Sequence, residues 1–205
     1  MISRSNLVFA CLGIIIPLLL ASSSRSVGAR FSVAASVLEV PVDSLAFAEG
    51  DILLRRGNSL VSGMIAQAFP GGKGMSHCGI LIHRGGSWQV IHSISGAISD
   101  AEGIRIEGWE AFASRAKAGQ LRQVRPRFAA DMDILRKQSM HYLAQNTPFD
   151  HDFELSTDDK LYCSELVRAV YLAAGGEDAF IYKEVGTKRL IDMASFFWPE
   201  YWQEM

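Results

Sequence analysis

The chain has 205 residues, 49% of them hydrophobic, and its 20 Lys and Arg against 22 Asp and Glu leave a formal net charge of −2. This length suffices for one hydrophobic core, so a single domain is expected. The near-neutral charge lacks the broad positive field that nucleic-acid binding requires, which excludes nucleic acid as a partner.

The N-terminus has the pattern of a secretory signal. Arg4 is the only charged residue before an apolar run over residues 7–21, and small residues follow this run. A positive start, a short apolar run and a small-residue cleavage site are typical of export signals. An uncleaved anchor is the alternative, although the run is shorter than the roughly 20 residues of a spanning helix. We expect a signal peptide over residues 1–29, a lead-in over residues 30–48 and a domain over residues 49–205 of a periplasmic or secreted protein.

The domain opens with a strand pattern and a helix pattern. Residues 51–55 form a short apolar run, which predicts a strand. Ser59 is a good N-cap for a helix over residues 60–69, whose apolar face would include Leu60.

Four further segments alternate like strands or lie beside strong turn signals. Strands are predicted over residues 76–83 and 88–93, on either side of Arg84-Gly85-Gly86-Ser87, which favours a tight hairpin. Two more strands are predicted over residues 103–106 and 120–125.

The second half of the chain is dominated by helix patterns. Amphipathic runs predict helices over residues 131–145 and 163–174, and an aromatic-rich run predicts a last helix over residues 193–202. Antiparallel strands followed by helices indicate an α+β fold.

Cys163 is the candidate nucleophile. After removal of the signal only Cys78 and Cys163 remain, too few for a disulfide scaffold. Cys163 lies where a polar loop becomes a helix, and the free N–H groups of a helix start lower the pKa of a thiol placed there. A buried structural cysteine is an equally good interpretation of this local context.

Two histidines lie where they could serve such a thiol. A two-residue loop at Gly85-Gly86 would place His92 opposite Gly79, so His77 and His92 would share one face as diagonal neighbours. Cys78 would point to the other face, away from the cleft and from the nucleophile. In this hypothesis His77 is the base that exchanges the proton and His92 orients its ring.

The remaining histidines are expected to be solvated, because His83 adjoins the hairpin turn, His141 lies in a charged helix and His151 in a polar loop. Tyr162 could place its hydroxyl near a developing oxyanion, with a packing role as the equal alternative. The backbone N–H of Cys163 is a suitable oxyanion donor. The aromatic residues near the C-terminus are expected in the core, with a peripheral membrane or lipid contact as the alternative.

The order and separation of four motifs over about residues 49–175 resemble the YaeF/YiiX-type permuted papain-like amidases, within the permuted NlpC-like cysteine hydrolases. The motifs are Gly50-Asp51-Ile52-Leu53, Ser76-His77-Cys78-Gly79-Ile80, Val90-Ile91-His92-Ser93, and Pro148-Phe149-Asp150 leading to Tyr162-Cys163-Ser164-Glu165-Leu166-Val167.

The resemblance implies a small antiparallel β-barrel or sheet packed against helices, with element order rotated relative to papain. It implies Cys163 as nucleophile, His77 as base and His92 as third polar residue. The implied activity is cleavage of an amide, in many members a peptidoglycan peptide. We expect neither a cofactor nor a metal.

Three alternatives stay open. The His92 position also resembles lecithin–retinol acyltransferase-like enzymes, which move acyl groups from lipids. A zinc site could be built from His77, Cys78, His92 and Cys163, although strand alternation opposes it and no Cys-x-x-Cys pair is present. The third alternative is a non-catalytic wall-binding module.

Overall fold

The computed structural model describes residues 46–205. The predicted signal peptide and all but the last three residues of the lead-in therefore lie outside the described residues. No helix within residues 46–205 combines the length and the apolar character needed to cross a membrane.

The described residues form eight strands, four helices and two 3-10 turns. In chain order they are β1 (Ile52–Gly57), α1 (Leu60–Ala68), a 3-10 turn (Pro70–Gly72), β2 (His77–Arg84), β3 (Ser87–Ile94), β4 (Gly103–Gly108), α2 (Trp109–Ser114), β5 (Ala116–Pro126), α3 (Met132–Ala144), α4 (Cys163–Ala173), β6 (Tyr182–Val185), β7 (Lys188–Ile191), a second 3-10 turn (Met193–Phe197) and β8 (Trp202–Glu204).

Six strands form one sheet in the order β4-β3-β2-β1-β5-β8, and β6 and β7 form a separate hairpin. Every pairing is antiparallel. Within the part of the chain that the structure describes, β4 and β8 pair on one side only, so the sheet is open. The α+β prediction is confirmed, and of the two forms implied by the resemblance the protein has the open sheet.

The β2–β3 hairpin has the predicted register. Its loop is Gly85-Gly86, with φ angles of 61° and 79°, which lie in the left-handed region that a tight two-residue turn requires. Arg84 pairs with Ser87, and the ladder runs back to the pair formed by Ile80 and Ile91. This register determines which side chains face the site.

Apolar residues are buried on both faces of the sheet. The larger cluster lies between the sheet and the helices and includes Cys78, Ile80 and Leu166. The smaller cluster, on the other face, includes Leu81 and Phe112. Because successive strand residues point to opposite faces, β2 contributes alternately to the two clusters.

Two expectations about the elements were wrong, and two elements were not predicted. The predicted last helix is a 3-10 turn followed by β8, because Pro199 fixes the backbone there and disfavours helix at the residue before it. Leu60, expected on a buried face, is 72% exposed, and Ser62 and Ala66 are buried instead. The two elements that were not predicted are the short helix α2 and the β6–β7 hairpin, which turns at Gly186.

Candidate active site

The nucleophile candidate, Cys163, is the first residue of α4 and is half-buried. The segment before it is fixed by two hydrogen bonds. The Ser93 hydroxyl donates to the carbonyl of Leu161 at 2.5 Å, and the Tyr162 N–H donates to Glu165 Oε2 at 3.2 Å. The second bond caps the helix from within its first turn. The start of α4 is therefore tied to β3, with its free N–H groups around the sulfur.

The surroundings of the Cys163 sulfur lower the pKa of its thiol. The main cause is hydrogen bonding with the Cys78 thiol, helped by backbone N–H groups that include those of Cys78 and Ser164, while burial acts in the opposite direction. Burial raises the pKa of Cys78. Of the pair, Cys163 ionises first, as expected at a helix N-terminus.

The position of Cys78 corrects the sequence interpretation. We expected Cys78 to point away from the nucleophile, yet the two thiols are close enough to shift each other's pKa, and both cysteines are free. The regular β2–β3 pairing stops at Ile80 and Ile91, two residues short of Cys78, and Ser93 of β3 forms a hydrogen bond with Leu161 just before α4. A side chain on the core face of β2 therefore reaches the helix terminus.

His77 and His92 meet as predicted. His77 Nε2 lies 2.9 Å from His92 Nδ1, and the two rings are nearly perpendicular. Gly79 makes this approach possible, because a Cβ at this position would lie 2.9 Å from the Cβ of His92 and 2.5 Å from Val90 Cγ1. The ring of Phe112 stacks on His77 at 5.6 Å and holds it in place. Among residues 46–205, nothing forms a hydrogen bond with Nδ1 of His77.

Glu107 and Arg115 extend this pair, and sequence reasoning missed both. His92 Nε2 lies 3.0 Å from Glu107 Oε1, although the oxygen is off the axis of a straight hydrogen bond. Arg115 Nη1 donates to both carboxylate oxygens, at 2.7 and 2.6 Å. Burial alone would raise the pKa of Glu107, but its contacts with His92 and Arg115 outweigh this and hold the pKa below its usual range.

Arg55 is a buried arginine close to the His77–His92 pair. Its guanidinium donates to the carbonyl of Phe112 at 2.6 Å and stacks 4.2 Å above the ring of the same residue. Burial lowers the pKa of Arg55 to about 10, and the negative charges of Glu107 and Cys163 oppose this shift. Arg55 is also the cross-strand partner of His77, so the thiol and the imidazole lie in one electrostatic neighbourhood.

Both imidazoles are held neutral. Burial lowers the pKa of His77 well below its usual value, and the positive charges of Arg55 and Arg115 add to this effect. Burial also lowers the pKa of His92, and Glu107 opposes the shift only in part. At neutral pH the pair can therefore accept a proton.

The structure does not join every predicted member of the site. In residues 46–205 no hydrogen bond links Cys163 to His77. Catalytic hydrogen bonds are often long before substrate binds, so the two groups remain candidates for direct proton transfer.

Tyr162 is held by its surroundings. It is 5% exposed, and its hydroxyl accepts a hydrogen bond from the N–H of Ile191 at 3.1 Å. Burial raises the pKa of this phenol. These contacts favour the packing role, and the oxyanion role stays a prediction.

The other predicted surface histidines, His83, His141 and His151, are exposed. The ring of His83 packs against that of Trp88, and His151 Nε2 lies 3.0 Å from Glu102 Oε1.

No three or more His, Cys, Asp or Glu side chains within residues 46–205 form a group that could hold a metal ion. His77 and Cys78 point to opposite faces of β2, as strand alternation predicts.

Comparison with known proteins places this geometry in context. Residues 46–193 match the family model described as permuted papain-like amidase enzymes of the YaeF/YiiX type. No curated protein matches the chain significantly. Among solved structures, the chain is similar to one titled metalloprotein yiiX from Escherichia coli, with 18% identity and a TM-score of 0.65, covering 77% of this chain and 95% of that one. At this identity the likeness shows the fold alone.

Proposed function

Since the chain belongs to the permuted papain-like amidases, a family of cysteine peptidases and amidases, we propose that it is exported and cleaves an amide bond in peptidoglycan peptides. One observation carries the proposal. A cysteine with a lowered pKa begins a helix beside a strand that presents a neutral, hydrogen-bonded pair of histidines. A nucleophile, a base and a residue that orients the base are the parts that thiol hydrolysis requires.

In this mechanism the Cys163 sulfur attacks the carbonyl carbon of the substrate amide while His77 Nδ1 takes up the thiol proton. The backbone N–H of Cys163 donates to the oxyanion that forms. His77 then returns the proton to the departing amine, which leaves the acyl group on the sulfur as a thioester. Water attacks the thioester carbonyl carbon while His77 takes a proton from this water. The C–S bond then breaks, the carboxylic acid leaves, and His77 returns the proton to the sulfur, which restores the free thiol and the neutral base.

A second candidate function is hydrolysis or transfer of lipid acyl groups. Phe47, Trp88 and Trp109 are half-buried aromatic residues that pack together on the face of the sheet that carries His77. Phe112 connects them to the His77 ring. An apolar surface continuous with the base would suit an acyl chain as well as an apolar peptide side chain.

The two functions differ in their products. We would incubate the purified protein with peptidoglycan and, separately, with phospholipid vesicles, and identify the products by mass spectrometry. New amine and carboxyl ends from peptidoglycan, absent with Cys163→Ala and retained with His83→Ala, support the proposed function. Free fatty acid or transferred acyl chains with intact peptidoglycan would replace it by the lipid function, and no product from either substrate would favour a binding module.

Export is tested separately. The N-terminal pattern predicts that the exported protein begins after about residue 29. N-terminal sequencing of the exported fraction checks this, and recovery of intact residues 1–29 in the membrane would indicate an anchor.

A further inference from the structure

Glu107 is the last member of a continuous line of polar contacts that begins at His77, the proposed base. The line runs from His77 Nε2 to His92 Nδ1, and from His92 Nε2 to Glu107 Oε1. Glu107 lies on β4 directly opposite Val90, two residues from His92 on β3, so the carboxylate and the ring share one face. The side chain of Glu107 is only 14% exposed, so its contact with His92 is largely shielded from solvent.

The chemistry of this line determines which nitrogens carry protons. A carboxylate only accepts hydrogen bonds, so the nitrogen facing it, Nε2 of His92, must carry a proton. Neutral His92 then has a bare Nδ1, which must accept from Nε2 of His77. Neutral His77 in turn has a bare Nδ1. This is the nitrogen without a hydrogen-bond partner in the described structure, and it is the one left for the Cys163 thiol.

Arg115 makes the arrangement stable against the competing protonation state. If His92 were doubly protonated, it would donate from Nδ1 to His77 Nε2 and force the proton of His77 onto Nδ1, where it would block the base. Arg115 binds both oxygens of Glu107 and compensates its charge. Glu107 can thus stay 3.0 Å from His92 Nε2 without drawing a second proton onto the ring.

From these contacts we propose that Glu107 is a positioning residue that acts through His92 to select the His77 tautomer with an unprotonated Nδ1. The proposal deepens the proposed function and rests on it, since the tautomer matters only if His77 serves Cys163. Glu107 itself does not touch the reacting atoms. Its effect is to keep the base in the protonation pattern that can accept the thiol proton, as orienting groups do in other hydrolases.

The decisive experiment reads the tautomers directly, without a substrate. Long-range proton–nitrogen NMR correlation of the protein labelled with ¹⁵N-histidine distinguishes protonated from bare ring nitrogens, and His77→Gln and His92→Gln assign the two rings. At pH 8 we expect both rings of the wild type to be protonated at Nε2 and bare at Nδ1. A wild-type His92 that carries its proton on Nδ1 overturns the proposal, whatever the variants do.

Glu107→Leu removes the acceptor, and we expect mixed tautomers for both rings. Glu110→Leu is the matched control, because it removes an exposed carboxylate from the same region and leaves the acceptor of His92 in place. Wild-type tautomers in Glu107→Leu would contradict the proposal. If Glu107→Leu does not fold, the wild-type spectrum alone decides.

Activity provides the second measurement. With an amide substrate, Glu107→Leu should lower kcat by about 10- to 100-fold and change KM by less than about twofold, because substrate contacts are untouched. Unchanged kcat would overturn the positioning role. The expected tautomers without any amide hydrolysis would refute the proposed function, whereas hydrolysis by a protein with Nδ1-protonated His92 would refute only the role of Glu107.

Discussion

His77 Nε2 lies 2.9 Å from His92 Nδ1, so the hydrogen bond between the two rings occupies one nitrogen of the base and leaves only Nδ1 for the thiol. The pair is buried against Phe112, and burial keeps both rings neutral. A rigid, neutral base beside a helix-terminal thiol is the relationship on which the proposed hydrolysis depends.

Cys163→Ala and His77→Ala should each lower kcat for amide hydrolysis by at least about 10²-fold, because proton transfer and attack are one event. Since the two residues act as a unit, the double variant should be little worse than either single variant. Steady-state kinetics checks both statements. His83→Ala, at the exposed hairpin, is the control and should keep wild-type rates. Losses that multiply in the double variant would mean that the residues act separately.

His92→Ala should retain more activity than His77→Ala, because His92 orients the base and does not exchange the substrate proton. The same kinetic assay compares them. If His92→Ala were fully active, the hydrogen bond between the rings would have no catalytic role.

Cys78→Ala should slow the alkylation of Cys163 by iodoacetamide at pH 7. The Cys78 thiol is the main group that lowers the pKa of Cys163, so its loss raises that pKa and reduces the thiolate fraction, by about tenfold for each pKa unit. Cys78→Ser is the matched variant, since its hydroxyl still donates a hydrogen bond, and it should stay closer to the wild type. Equal or faster alkylation in Cys78→Ala would show that the thiol contact does not activate Cys163.

The acid limb of kcat/KM should lie below about pH 6.5, the usual pKa of histidine, because burial and nearby arginines lower the pKa of His77 and keep it in its active neutral form. Arg115→Ala removes one of these charges and the two hydrogen bonds that Arg115 donates to Glu107, so both histidine pKa values should rise and the limb should move to higher pH. A pH profile measures this. Arg127→Ala, an exposed residue with the same change in net charge, should leave the limb in place. A limb unmoved by Arg115→Ala would contradict this electrostatic description.

Glu165→Gln should make stability less dependent on pH. Burial raises the pKa of Glu165 to about 8, against about 4.3 for a free glutamate. Because the folded-state pKa is raised, the carboxyl contributes its stabilisation fully below about pH 4 and loses it as pH rises towards 8. The glutamine keeps an oxygen that accepts from the Tyr162 N–H and cannot ionise, so the free energy of unfolding of the variant at pH 9 should exceed that of the wild type.

Urea unfolding at pH 5 and pH 9 measures this difference, with Glu177→Gln, an exposed carboxylate, as the control that should follow the wild type. If Glu165→Gln lost as much stability between pH 5 and pH 9 as the wild type, the pKa of Glu165 would not be raised in the folded protein.

The hairpin that carries the histidines could be predicted because its register depends on local chemistry. Gly85-Gly86 favours a tight two-residue turn, and counting outward from it places His92 diagonal to His77. The start of α4 at Cys163 could be predicted for the same reason, because it depends on the neighbouring residues in the sequence. Glu107 was not predictable in this way, because the long β3–β4 connection leaves the register of β4 undetermined. Its sequence signal was weak: an acidic residue near the end of a strand predicted after His92.

The contact between Cys78 and Cys163 and the end of the chain also depended on tertiary structure. Strand alternation correctly placed Cys78 on the core face, but not the approach of α4 to that face. The aromatic-rich C-terminal run matched a helix period, yet Pro199 and the pairing of Trp202 with Pro126 make it a turn and an edge strand. Phe196 and Trp202 are buried, as expected of core residues.

The central claim is that Cys163 is an activated nucleophile, and the pH dependence of its alkylation tests this without knowledge of the substrate. The purified protein would be treated with iodoacetamide over a range of pH, and the modified cysteine identified by peptide mass spectrometry. We predict that Cys163 reacts first, with an apparent pKa below the ~8.5 of a free thiol, while buried Cys78 reacts only after denaturation. Modification of Cys78 before Cys163, or reaction of Cys163 only above pH ~8.5, would contradict the claim.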